Sequence, residues 1–134
     1  MKAARLLPIC LLLSACLPYP AYRTLQHATV VQVSDAQGRP IAAASVRVIR
    51  RSLPSGIESA RQTVETGSDG LAYFPAHPEW QTEVLALHGR VEYRWDWCIA
   101  KAGYITRLIR QNEAGSGTLD IQLQAGTSTP CPAA

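Results

Sequence analysis

The 134-residue sequence contains no apolar run long enough to cross a bilayer, no marked excess of one charge, and no long stretch of helical amphipathic period. Its longest apolar run, Leu6 to Ala15, is interrupted by Pro8. At the rise of an α-helix it reaches only about 15 Å, roughly half a hydrocarbon core, which excludes a stable transmembrane helix there. With 13 basic against 10 acidic residues, electrostatics gives no support to nucleic-acid binding. No Cys-x-x-Cys occurs, which speaks against a thioredoxin-type redox pair. His27, His77 and His88 fall in no His-x-x-x-His or comparable ligand spacing, and Ser14, Ser34 and Ser68 in no Gly-x-Ser-x-Gly context. A metal site would have to be assembled from distant strands, and a serine nucleophile has no support from pattern.

What is present begins with the amino terminus. Lys2 and Arg5 precede the Leu6–Ala15 run, which together read as the charged and apolar regions of a secretory signal. The run ends in Leu13-Ser14-Ala15-Cys16, which resembles the lipobox of bacterial lipoproteins. The resemblance implies cleavage between Ala15 and Cys16, a diacylglyceryl thioether on Cys16 and often acylation of its amine; the competing reading is an ordinary signal peptide with an incidental cysteine. Each buried methylene contributes about 0.8 kcal/mol, so one acyl chain holds marginally and two hold well. The implied location is the bacterial cell envelope, with the domain in the periplasm or at the cell surface. Leu17 stands where an inner-membrane retention aspartate would sit in many enteric bacteria, so the outer membrane is favoured. Loss of Lys2 and Arg5 with the leader leaves 11 basic residues against 10 acidic ones.

Of four cysteines, Cys10 then lies in the leader and Cys16 carries lipid, leaving Cys98 and Cys131. Two thiols in an oxidising compartment are expected to form a disulfide that staples the Thr/Pro/Ala tail, residues 126–134, to the domain. The alternative, a zinc pair, lacks further ligands at short spacing.

Residues 16–26 hold two prolines and no periodicity, and read as an extended tether. From there the chain carries short β-branched runs punctuated by turns, the pattern of an all-β sandwich or barrel. Strands are expected at Thr29–Val33, Ala44–Arg50, Gln62–Thr66, Leu71–Pro75, Val91–Ile99, Ile105–Arg110 and Thr118–Leu123. Ser52–Gly56 and His77–Trp80 read as loops, and Glu83–His88 as a short helix or a strand. The clearest alternation places Val91, Tyr93, Trp95, Trp97 and Ile99 on an inner face, with Cys98 on the outer one.

The order of turns is similar to that of the carboxypeptidase regulatory-like domain, a transthyretin-like β-sandwich of about seven strands. The matching segments are Ser34–Ile41, Ala44–Val48, Gly67–Phe74 and Ala100–Tyr104 within a single domain spanning residues 27–125. The stretch from Phe74 to Val91 is longer than that pattern expects. The resemblance implies the fold and no catalytic residues, cofactor or metal.

Three further features invite a functional reading. Asp69 before Gly70 could ligate calcium, but only Glu65 is close in sequence, so a turn aspartate is the simpler reading. Trp95 and Trp97 are expected in the core, whereas Trp80, beside Pro78, is a candidate for stacking on a carbohydrate. Arg47, Arg50 and Arg51 form a basic cluster, read as a solvated strand edge that blocks pairing. The function expected is a non-catalytic envelope lipoprotein, held to the membrane through Cys16, that binds another envelope protein or a surface polymer, with edge-strand pairing as the route. The alternatives are a transthyretin-like docking lipoprotein of a secretion system, for which Gly38-Arg39-Pro40 leading into Val46–Arg50 is the weak similarity, and a periplasmic inhibitor or immunity protein.

Overall fold

A computed structural model describes residues 18–84, 91–112 and 117–133, and among these there is no helix. Nine strands form: β1 (Pro18–Gln26), β2 (Thr29–Ser34), β3 (Ser45–Leu53), β4 (Ile57–Glu65), β5 (Leu71–Phe74), β6 (His77–Val84), β7 (Glu92–Ala100), β8 (Arg107–Gln111) and β9 (Gly117–Gln122). Seven of them make the sandwich, as a three-stranded sheet ordered β5-β2-β9 and a four-stranded sheet ordered β4-β3-β7-β8. β1 and β6 pair with each other in a separate antiparallel ribbon.

The core follows from period-two alternation in the two inner strands of the larger sheet. Val46 and Val48 of β3 and Trp95, Trp97 and Ile99 of β7 face Val31, Val33, Ala72, Phe74 and Ile121 of the smaller sheet. Phe74 meets Trp97 edge-on across the layers, centroids 5.1 Å apart, an arrangement that adds about 0.5–1.5 kcal/mol to the area buried. Cys98, read as an outward residue, is buried nonetheless, because the tail covers it.

Two turns lock the sheets together. Asp35, only 6% exposed, accepts at Oδ1 from the backbone N–H groups of Gln37 and Arg39, both at 2.9 Å, and at Oδ2 from Arg39 Nε at 2.7 Å. Those bonds, the Arg39 N–H foremost, hold its carboxyl below the usual carboxylate range. Thr66 is the second lock: its buried hydroxyl donates to Ile41 O at 2.6 Å and accepts from the Ala44 N–H at 2.9 Å. Gly70, at φ 75°, is the glycine that nothing else could replace, since a Cβ there would lie 2.6 Å from Val33 O.

The structure departs from the sequence reading in three places. The Ser52–Gly56 loop shrinks to a tight turn, and β4 begins at Ile57 rather than Gln62. No residue of β4 is fully buried, so this edge strand carries none of the apolar alternation that marks a strand in sequence. The residues read as a tether are extended but paired: Pro18–Gln26 forms β1. Its partner β6 contains His77-Pro78-Glu79-Trp80, read as a loop, and occupies part of the long stretch after Phe74. Among the described residues only one face of this ribbon packs on protein, and prolines are tolerated because neither strand is flanked there on both sides. Of Glu83–His88, Glu83 and Val84 are strand; the others lie outside the described residues.

Thr66→Val keeps the shape of the lock but strands a buried carbonyl and a buried N–H, and is expected to cost about 2–4 kcal/mol in denaturant unfolding. Because the Asp35 carboxyl is held low only in the folded state, its contribution is complete above the ordinary carboxylate range and disappears as pH falls through the depressed folded value. Asp35→Asn should therefore be less stable than the parent at pH 7, with the gap closing as pH is taken below about 3.9.

Candidate functional site

Residues that alternate inward on one side of the larger sheet leave their neighbours to build its outer face. In register across the strands, Arg51 of β3 lies opposite Arg94 of β7. The next row is Ile49, Asp96 and Arg110, and the one after it Arg47, Cys98 and Leu108. These side chains line a groove of about 290 Å³ together with Gly56 and Pro132. Four arginines and one carboxylate line it.

The charges are arranged unequally. Two like charges directly opposite each other in a sheet repel, and Asp96 relieves this by binding both: Arg51 Nε donates to Oδ2 at 3.1 Å, and Arg94 donates to Oδ1 at 2.9 Å and to Oδ2 at 3.2 Å. Arg51 also donates to Gly56 O at 3.2 Å. Asp96 is thus taken. On the β4 side, Glu58 accepts from Nε and Nη2 of Arg61, at 2.9 and 2.7 Å. Its carboxyl is held low first by that bond, with Arg51 and Arg47 contributing through space. Arg47 itself makes no salt bridge among the described residues, and its Nε is buried without a hydrogen-bond partner there. The groove therefore combines excess positive charge with an aliphatic wall of Ile49 and the 58% exposed Leu108.

One wall is held by the tail. Cys98 and Cys131 form a disulfide with Cα atoms 5.9 Å apart, bringing Pro132 over the groove. The bridge is backed by a short zipper: Ile105 N–H to Gln124 O at 2.8 Å, Gly126 N–H to Gly103 O at 2.9 Å, and reciprocal bonds between Thr106 and Thr129. Ile105 and Thr106, read as the start of a strand toward Arg110, are used by the tail instead, and β8 begins at Arg107.

The basic cluster read from sequence is divided by the sheet. β3 is an inner strand of its sheet, so the reading of Arg47, Arg50 and Arg51 as a solvated edge is corrected. Arg47 and Arg51 belong to the groove, while Arg50, on the alternate face, is 5% exposed. Arg50 lies 5.3 Å from the Tyr93 ring centroid, donates to Ser59 Oγ at 3.0 Å and approaches Glu79 at 3.7 Å. What sequence reasoning missed is that Arg94 and Arg110 join Arg47 and Arg51; the outward set of the β7 alternation signals Arg94, whereas Arg110 of β8 is brought in only by the β7–β8 register.

The other candidates are placed apart. Asp69 accepts from the Leu71 N–H at 3.0 Å, as a turn aspartate does. Trp95 and Trp97 are core residues, and Trp80 is 67% exposed on the ribbon. His77 lies 3.5 Å from Glu79; His88 and Cys16 lie outside the described residues. Among the described residues no group of three or more His, Cys, Asp or Glu is placed to hold a metal.

Fold and groove define a β-sandwich with an arginine-rich outer sheet face. No protein-family model matches the chain, and no curated protein is similar to it at a significant level. Among solved structures, 3-chlorocatechol 1,2-dioxygenase from Rhodococcus opacus 1CP is similar with a TM-score of 0.51 and 12% identity, over 78% of this chain and 62% of that one. The likeness is one of fold alone.

Replacing Cys131 by serine opens a loop closed over 33 residues. It is expected to lower stability by about 2–4 kcal/mol in denaturant unfolding.

Proposed function

We propose that this protein is a non-catalytic, lipid-anchored binding module of the bacterial cell envelope, which holds a carboxylate- or phosphate-bearing partner group in the arginine groove. The observation that carries the reading is Arg47, with a buried and unpartnered Nε on a floor whose sole carboxylate is already bound by two arginines. Guanidinium groups suit such ligands because their planar forks pair with two oxygens at once. The lining consists of guanidiniums, a paired carboxylate, aliphatic groups, Trp97 and a cysteine already spent in the disulfide, a set that favours holding over turnover. The anchor rests on Leu13-Ser14-Ala15-Cys16, and the carboxypeptidase regulatory-like resemblance agrees with a binding role at the envelope.

Intact-mass spectrometry of the protein from membranes is expected to show a chain beginning at Cys16 with acyl chains added; an unacylated mass rejects the anchor. For the groove, inorganic phosphate titrated into labelled protein should shift the amide resonances of Ile49, Asp96, Cys98 and Leu108, weakening as salt is raised. The paired substitutions Arg47→Gln and Arg110→Gln should remove these shifts while leaving the rest of the spectrum unchanged. Shifts scattered over the surface, or surviving both substitutions, reject the site.

A further inference from the structure

The ribbon is two-faced, and its faces differ in kind. Register pairs Pro18 with Val84, Pro20 with Thr82, Tyr22 with Trp80, and Thr24 with Pro78. This face carries no ionisable acid or base apart from the Tyr22 phenol. The alternate face pairs Tyr19 with Glu83, Ala21 with Gln81, and Arg23 with Glu79. That charged face holds the ribbon to itself and to the sandwich. Arg23 donates to both oxygens of Glu83, at 2.8 and 3.0 Å, Gln81 donates to the Tyr93 hydroxyl at 2.6 Å, and Glu79 meets the buried Arg50.

Among the described residues the uncharged face has no such partner. Tyr22 and Trp80 stand on it 57% and 67% exposed, their ring centroids 5.2 Å apart. Pro18, Pro20, Thr24, Pro78 and Thr82 around them are exposed too. An uncharged strip centred on a paired tyrosine and tryptophan has the chemistry of the bilayer interface, where such rings keep an apolar body in lipid and a polar tip in water. Its position fits. Pro18 is two residues beyond Cys16, and covalent geometry limits that separation to about 7 Å.

We infer that the uncharged face of the β1–β6 ribbon is a membrane-seating surface, which lays Tyr22 and Trp80 into the headgroup region of the leaflet that holds the lipidated Cys16. The inference rests on the anchor reading of the proposed function and adds that the domain is seated on the bilayer at a fixed face. It also gives the first strand a task that a tether lacks. A sandwich held by its ribbon presents a defined side to the envelope.

The test uses the full chain purified from membranes, its acylation established by intact mass, reconstituted into phosphatidylethanolamine/phosphatidylglycerol vesicles. Trp95 and Trp97 are buried in the core, so quenching by lipids brominated near the headgroup reports on Trp80, with Trp80→Leu as the blank. The expected result is loss of most Trp80 emission with the brominated lipids, protection of Trp80 from aqueous iodide, and no such quenching in Trp80→Leu. Acylated protein whose Trp80 stays open to iodide and untouched by brominated lipid overturns the seating and leaves the anchor standing. Protection from both quenchers means another protein or a second copy covers the face, and also overturns it. A chain without acyl mass rejects the anchor reading itself, and the seating with it.

Discussion

The alternation of β3 and β7 is the constraint on which the other features rest. These two neighbours form the middle of the four-stranded sheet and are paired over nine residues, from Ser45 opposite Ala100 to Leu53 opposite Glu92. With that register fixed, Val46, Val48, Trp95, Trp97 and Ile99 must share the core side, and Arg47, Arg51, Arg94, Asp96 and Cys98 must share the other. A slip of one residue would exchange the two sets and place guanidiniums against Phe74. The core thus determines the groove: burial of the aromatic side forces the arginines together, and Asp96 makes the crowding tolerable. The disulfide belongs to the same logic, since Cys98 stands in the arginine row and its bond brings the tail over the groove's edge.

What could be read from the residues follows the same division. Strands with one buried and one wet face announce themselves by alternation, and β7 with its Trp95 and Trp97 was legible for that reason, as were the turns at Asp35 and Gly70. The Cys98–Cys131 pair was legible by elimination among four cysteines. The first half of β4 and the ribbon were not, because an edge strand without a fully buried residue and a ribbon of prolines and polar groups are stabilised by backbone pairing, which leaves no periodic mark. The groove was half legible. Arg47 and Arg51 stood out as a run, but recognising Arg94 and Arg110 as their neighbours requires the registers of two strand pairs, and the long-range pairing that sets them is not written locally.

Arg50 shows how one position can be misread when neighbours share a charge. In the sequence it is the centre of a basic cluster; in the fold it is the member that turns inward, and its guanidinium stacks near Tyr93 while reaching Ser59 and Glu79. A buried cation is costly unless its donors are satisfied, and here part of that satisfaction comes from β6. The ribbon and the sandwich are therefore coupled through a charge that neither could bury alone. Gln81 on Tyr93 adds a second link at the same place.

That coupling bears on what each surface can do. A ribbon fixed to the sandwich by Arg50, Glu79, Gln81 and Tyr93 cannot turn its aromatic face without breaking bonds to the core side of the large sheet, so the orientation of the ribbon is also the orientation of the sandwich. The groove, built on the opposite side of that sheet, keeps its place relative to the ribbon. Under the lipid anchor proposed at Cys16, such rigidity would convert an anchor that fixes only distance into one that fixes direction. On the function proposed, the arginines would then meet an anionic group from a constant side, with the range of orientations narrowed from the full sweep of a loose tether.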